Sequence, residues 1–143
     1  MARLVSVGET MLEPCPRLLI AGTSGDAGKT VITVGLARYF TGQGLAVAVF
    51  KKGPDYIDAS WLSAAAKSRA RNLDTYLVDE ATVRRSFRNY AVQDGINLIE
   101  GNRGLHDGAD LKGSHSSAEL SNKIEYPVIL LQDLTKLTQS AEA

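Results

Sequence analysis

The apolar run Leu18-Leu19-Ile20-Ala21 leads directly into Gly22-Thr23-Ser24-Gly25-Asp26-Ala27-Gly28-Lys29-Thr30, and Val31 to Phe40 follows with the composition of a helix. Few arrangements satisfy that order other than strand, glycine-rich turn and helix. The glycines let the turn aim its backbone N–H groups inward, at a helix N-terminus whose dipole favours anions. Lys29 then stands where an ammonium reaches the terminal phosphates of a nucleotide, and Thr30 where a hydroxyl binds Mg²⁺. The common spacing G-x-x-x-x-G-K-[ST] would place its first glycine at position 23, which is Thr23. Here it comes one residue earlier, so the loop is a spacing variant. All nine residues, Gly22 to Thr30, are candidates for nucleotide binding.

Charge and cysteine content narrow the remaining classes. Lys plus Arg and Asp plus Glu each number 16, so no global field argues for nucleic acid or an anionic membrane, and any anion site must be local. One cysteine, Cys15, lies between Pro14 and Pro16. It excludes an internal disulfide framework and a multi-cysteine zinc site, and it is read as incidental in a reducing compartment. No apolar stretch approaches the ~18–20 residues of a membrane span, and Glu9 and Glu13 occupy the place of a signal peptide's apolar region. The expectation is a cytoplasmic protein without nucleic-acid or membrane partners. The length of 143 residues suits one core. Residues 1–16, with strand character at Leu4–Val7, read as an extension of unknown role, and 17–143 as the domain.

Taken in order, the strand Leu18–Ala21 is followed by a helix from Gly28 to about Thr41, which Gly42 and Gly44 stop. Leu45–Phe50 is a second continuous apolar strand, and a strand-helix-strand unit of this length makes the two strands parallel. The polar segment Lys51-Lys52-Gly53-Pro54-Asp55-Tyr56-Ile57-Asp58 then emerges at a strand's C-terminal end, where open α/β sheets bind ligands. A helix is expected over Ala59 to about Arg69 with Trp61 and Leu62 as apolar anchors, broken at Asn72-Leu73-Asp74-Thr75. Another runs from Asp79 to about Tyr90, with Val83 and Phe87 on one face and Arg84, Arg85 and Arg88 as a solvated basic face.

Ile96–Ile99 reads as the third strand. It delivers Glu100 to its C-terminal end, the Walker B position, where a carboxylate holds Mg²⁺ directly or through water. The loop Gly101 to Gly108 follows. Ser116-Ser117-Ala118-Glu119 is a capping-box pattern opening a helix to about Ile124, Pro127 closes the turn, and Val128–Leu131 is the fourth strand. Thr135 to Ala143 begins another helix. The fold class is therefore α/β, a P-loop NTPase with a mostly parallel sheet and helices on both faces, read as truncated at its C-terminus.

Several segments in this order resemble one family: Ala21 to Thr30, Phe50-Lys51-x-Gly53-Pro54-Asp55-Tyr56-Ile57-Asp58, Asn72-Leu73-Asp74, Glu100-Gly101-x-x-Gly104-Leu105-x-Asp107-Gly108, Gly113-Ser114 and Ser117-Ala118-Glu119-Leu120. They are similar to the N-terminal ATP-binding domain of cobyrinic acid a,c-diamide synthases, with nickel-sirohydrochlorin a,c-diamide synthases closely alike. The lysine-glycine-proline-aspartate segment is its most specific part. The P-loop spacing is shared with dethiobiotin synthetases, whose fold the domain is expected to have.

The resemblance implies an ATP-dependent carbon–nitrogen ligase. ATP would phosphorylate an acetate carboxylate of a tetrapyrrole, and ammonia from glutamine, released by a C-terminal glutaminase domain not found in this sequence, would displace phosphate. ATP and Mg²⁺ are the implied cofactors and a corrinoid polycarboxylate the implied partner; a homodimer is left open. The implied catalytic residues are Lys29, Lys51, Asp55 and Asp107. Tyr56, Ile57 and Asp58 would meet the substrate, and Thr30, Glu100 and Asp55 the metal. Beside these roles, Asp58 can cap the helix after it and Asp55 can serve the turn after Gly53-Pro54. Histidine is not implicated: His106 is not a catalytic position, and both it and His115 are expected at the surface. The rivals are a dethiobiotin-synthetase-like enzyme, against which the Pro54 to Asp58 segment argues, and a partition-type switch ATPase, whose loop lysine is replaced by Ser24. A nucleotide-binding module without catalysis is the third.

Overall fold

The computed structural model describes residues 15–134. The readings of Leu4–Val7 as a strand and of Thr135–Ala143 as a helix lie outside the described residues. Five strands and four helices alternate: β1 (Arg17–Gly22), α1 (Lys29–Gly42), β2 (Ala46–Lys52), α2 (Ile57–Ala66), β3 (Arg71–Leu73), α3 (Glu80–Tyr90), β4 (Gly95–Gly104), α4 (Ser117–Ile124) and β5 (Val128–Leu131). The strands form one sheet in the order β3-β2-β4-β1-β5, and every pairing is parallel. All the strands therefore end on the same edge, and the loops that follow them share it. β1 and β2 are parallel as expected, with β4 between them.

Alternation along the strands divides the core in two. Leu19, Ala48, Phe50 and Ile99 face α3 and α4, packing with Val83, Phe87, Leu120 and Ile124. Ile20, Val47, Val49 and Leu98 face α1 and α2, packing with Ala37, Leu62, Ala65 and Ala66. Burial on both faces is why these strands read as continuous apolar runs. Asn97 is a buried polar exception on β4, and it is fully used. Its amide donates to the carbonyls of Pro16 and Val92, both at 2.8 Å, and its Oδ1 accepts from the Val92 N–H at 2.8 Å.

Four local expectations are corrected. Asn72-Leu73 does not merely break a helix but belongs to β3, an edge strand paired with Phe50–Lys52 of β2; Ile96–Ile99 is thus in the fourth strand and Val128–Leu131 in the fifth. Helix α2 starts two residues early and ends at Ala66, because Lys67 turns left-handed (φ 52°) to bring the chain back to the sheet. Trp61 is no anchor: it is 62% exposed, while Leu62, Ala65 and Ala66 form the buried face. The helix expected from Asp79 begins at Glu80, and Asp79 caps it, accepting from the Thr82 N–H. The α4 capping box is shifted. Ser116 Oγ accepts from the Glu119 N–H, but the Glu119 carboxylate reaches the N–H of His115 rather than that of Ser116.

Candidate phosphate and metal site

The turn after β1 takes the expected shape for reasons visible atom by atom. A Cβ on Gly22 would lie 3.0 Å from both Ala27 Cβ and Ser24 O and 3.2 Å from Lys29 Nζ, so a side chain at the displaced glycine would press on the turn. Gly28 caps α1 with φ 84°, a conformation that favours glycine. Lys29, the first residue of the helix, curls back and donates to Ser24 O at 2.8 Å. Burial, then the nearby charge of Lys51, lowers its pKa from the ordinary value.

Around the N-terminus of α1 the sheet delivers Lys51 and Glu100, and α2 brings Asp58. Glu100 is fully buried and pairs in register with Ile20 of β1 and Lys51 of β2. Its Oε1 accepts from the Thr30 hydroxyl at 2.6 Å and from Lys51 Nζ at 2.9 Å. Lys51, equally buried, also reaches Asp58 Oδ2 at 2.9 Å and Gly101 O at 3.2 Å. Lys51 is thus the last turn of a strand rather than the start of a loop, because β2 extends through Lys52. Glu100 likewise lies within β4, which runs four residues further; there the register shifts, Ile20 to Gly22 of β1 lying opposite Glu100 to Gly104.

Electrostatics follow from this packing. Burial pushes the Glu100 carboxyl above the ordinary range, further than Lys51 and Thr30 pull it down. Burial alone would lower Lys51, but Glu100 and Asp58 outweigh it and hold the ammonium above its usual value. Burial would raise Asp58, yet the hydrogen bond and charge of Lys51 win and its carboxyl lies below the usual range.

These groups line a cleft of about 440 Å³ that also exposes Gly25, Asp26 and Gly28 of the turn and Asn102 and Arg103 of β4. Glu100 Oε2 is buried and has no hydrogen-bond partner among the described residues. An unsatisfied carboxylate oxygen beside a hydroxyl at a helix N-terminus is a hard oxygen donor set, and it fits Mg²⁺ shared with phosphates. Among the described residues there is no group of three or more His, Cys, Asp or Glu that could hold a metal ion.

The remaining expected residues fall in different places. Asp58, not Asp55, is brought to Lys51 and Thr30. Asp55 Oδ1 accepts from the Asp58 N–H at 2.9 Å and so performs the turn role, pinning the start of α2. Asp58 sits inside the first turn and caps nothing. Tyr56 and Ile57 stand exposed beside it. Asp107 folds its own loop, accepting from the Gly104 N–H at 2.8 Å, and lines a second cleft on the other side of Asn102 and Arg103. His115 is not a free surface group: it is half-buried, hydrogen-bonded to Thr75 Oγ1 and edge-on to Tyr76. Arg84 pairs with Glu80 on exposed α3. Three contributors had no role assigned from the sequence. Asn72 donates to Gly53 O at 2.6 Å and Asp55 O at 3.0 Å, fixing the loop after β2. Asn102 and Arg103 line both clefts, and their one signal was the pair of unassigned positions between Gly101 and Gly104.

Residues 18–143 match the family described as CobQ/CobB/MinD/ParA nucleotide binding domain. Among curated proteins the chain is 46% identical over 125 residues to the cobyrinate a,c-diamide synthase of Magnetococcus marinus, covering 87% of this chain and 27% of that protein. It is 41% identical to those of Syntrophotalea carbinolica and Methanococcus maripaludis, over 90% and 89% of this chain and 28% of each relative. The chain thus spans somewhat more than a quarter of the length of these relatives.

Proposed function

The chain belongs to the CobQ/CobB/MinD/ParA nucleotide binding domain family, and on that footing we propose that it is the ATP-binding part of a ligase that amidates acetate carboxylates of a cobyrinic-acid-type tetrapyrrole. The observation that carries this reading is the Thr30–Glu100–Lys51–Asp58 cluster beside the phosphate turn, built around the buried Glu100 and Lys51. The turn amides and Lys29 would bind the β- and γ-phosphates, and Thr30 and Glu100 would hold Mg²⁺, which when bound neutralises phosphate charge. Lys51 would stand between phosphate and incoming carboxylate, kept charged by Glu100 and Asp58.

In the first half-reaction a carboxylate oxygen of the substrate attacks the γ-phosphorus and the bond to ADP breaks. In the second, ammonia drawn from glutamine attacks the acyl carbon, phosphate leaves with that oxygen, and the surplus proton passes to solvent. Asp55 would keep the loop after β2 in place. The exposed Tyr56 and Ile57 offer the macrocycle a rim at the mouth of the cleft. The test uses cobyrinic acid labelled with ¹⁸O in its carboxylates, with ATP, Mg²⁺ and ammonium. One ¹⁸O should appear in each phosphate released, and Lys29→Ala should slow amidation ~10²-fold or more. Unlabelled phosphate, or full turnover by that variant, would overturn the proposal.

A further inference from the structure

Lys51 and Lys52 are consecutive on β2, so they point to opposite faces of the sheet edge. Lys51 enters the phosphate cleft. Lys52 enters the second cleft, of about 320 Å³, with Asp74, Tyr76, Arg103, Asp107 and His115 among its lining residues. Its side chain is buried, with the residue 9% exposed. Among the described residues its ammonium makes no hydrogen bond and no ion pair. The carboxylates around it are occupied elsewhere. Asp74 Oδ1 accepts from the N–H groups of Tyr76 and Leu77, Asp107 Oδ2 from that of Gly104, and Glu119 pairs with Lys123 and receives the His115 N–H. Burial accordingly lowers the Lys52 pKa, with Asp74 and Glu119 opposing only through space. The ammonium therefore presents to the cleft three donors that no described residue uses.

The two clefts share one wall. Asn102 and Arg103 line both, and Arg103 is held in the left-handed region (φ 49°), a conformation non-glycine residues seldom adopt. A ligand reaching across this wall would place one group at the phosphate turn and another at Lys52.

We propose that the second cleft is a carboxylate subsite, in which Lys52 and Arg103 bind a side-chain carboxylate of the polycarboxylate substrate other than the one being phosphorylated. Lys52 is then a specificity residue that reads how acidic groups are spaced around the substrate. This rests on the proposed amidation, and the experiment separates the two. Steady-state kinetics with cobyrinic acid, ATP, Mg²⁺ and ammonium are measured for wild type, Lys52→Met and Lys52→Arg, together with affinity for a fluorescent ATP analogue.

Losing a charge-assisted hydrogen bond predicts a KM for cobyrinic acid ~10-fold higher or more in Lys52→Met. The analogue's affinity should stay within twofold, and Lys52→Arg should recover most of the KM. An unchanged KM in Lys52→Met would overturn the subsite and leave the amidation standing. A parallel loss of analogue affinity would also overturn it, showing that Lys52 only supports the fold. A wild type that neither binds nor amidates cobyrinic acid would overturn both.

Discussion

Replacing Glu100 by Gln separates what this residue does for folding from what it does for chemistry. Glu100 is fully buried, and its Oε1 is shared by the Thr30 hydroxyl and Lys51 Nζ while Oε2 has no hydrogen-bond partner among the described residues. Removing one partner of a buried ion pair commonly costs ~3–5 kcal/mol, because the other charge is stranded. Two facts oppose that cost here. Lys51 keeps Asp58 at 2.9 Å, and the Glu100 carboxyl titrates above its ordinary range because burial outweighs the attraction of Lys51. A raised carboxyl pKa means that the folded chain holds the proton more tightly than the unfolded one, so ionised Glu100 subtracts stability at neutral pH. A neutral isostere relieves that penalty and can still accept from Thr30. Glu100→Gln should therefore unfold at or above the wild-type temperature, whereas Mg²⁺-dependent ATP turnover should fall ~10²-fold as the anionic ligand is lost. Thermal unfolding by circular dichroism and phosphate release are the two assays. A loss of ~3 kcal/mol, roughly 6–12 °C at this chain length, would refute the electrostatic reasoning. Undiminished turnover would refute the metal role.

Gly22→Ala places a methyl group 3.0 Å from Ala27 Cβ and Ser24 O; nucleotide affinity measured by calorimetry should fall at least tenfold while the sheet survives. Asn72→Ala removes the donors to Gly53 O and Asp55 O, at a cost of about 1–3 kcal/mol for each carbonyl left unsatisfied, and protease cleavage should appear first in the 53–56 loop. Asp58 has its carboxyl held below the ordinary 3.8, so its stabilisation is present above that value and lost as pH falls through the lower folded one. Asp58→Asn should flatten the acid limb of stability below about pH 4, as read in a pH series of urea melts.

Legibility in the sequence followed the density of local signals. The turn after β1, the start of α3 near Asp79 and the Val83–Phe87 face were readable because each is set by neighbours a few residues away. β3 escaped because three residues carry no period; only pairing with Phe50–Lys52 makes Arg71–Leu73 a strand. Trp61 misled through its type, since the α2 face that packs on α1 and the sheet is alanine and leucine, which bring the helices close, and a tryptophan beside them has nowhere to go but outward. Glu100 was legible as an acidic residue following the apolar run of its strand, and it lies buried there beside Thr30. Its pairing with Lys51 was not visible, because 49 residues separate the two and only sheet order joins them.

That sheet order also explains why the loop after β2 can serve the phosphate turn after β1. β4 lies between their strands, so the two loops meet across its C-terminal end, and it is β4 that supplies both the carboxylate joining them and the wall dividing the clefts. The register shift after Glu100 gives β4 two extra residues relative to β1 over that stretch, which carries Asn102 and Arg103 past the neighbouring strand. Those two residues are the wall between the clefts that Lys51 and Lys52, pointing to opposite faces, enter. The glycines at 101 and 104 answer the same demand: a Cβ at either would press on Ile20 O or Thr23 O of the β1 strand and its turn, at 3.1 and 2.9 Å. The Glu-Gly-x-x-Gly pattern thus encodes how closely a long strand can pass the phosphate turn while presenting two side chains between two clefts.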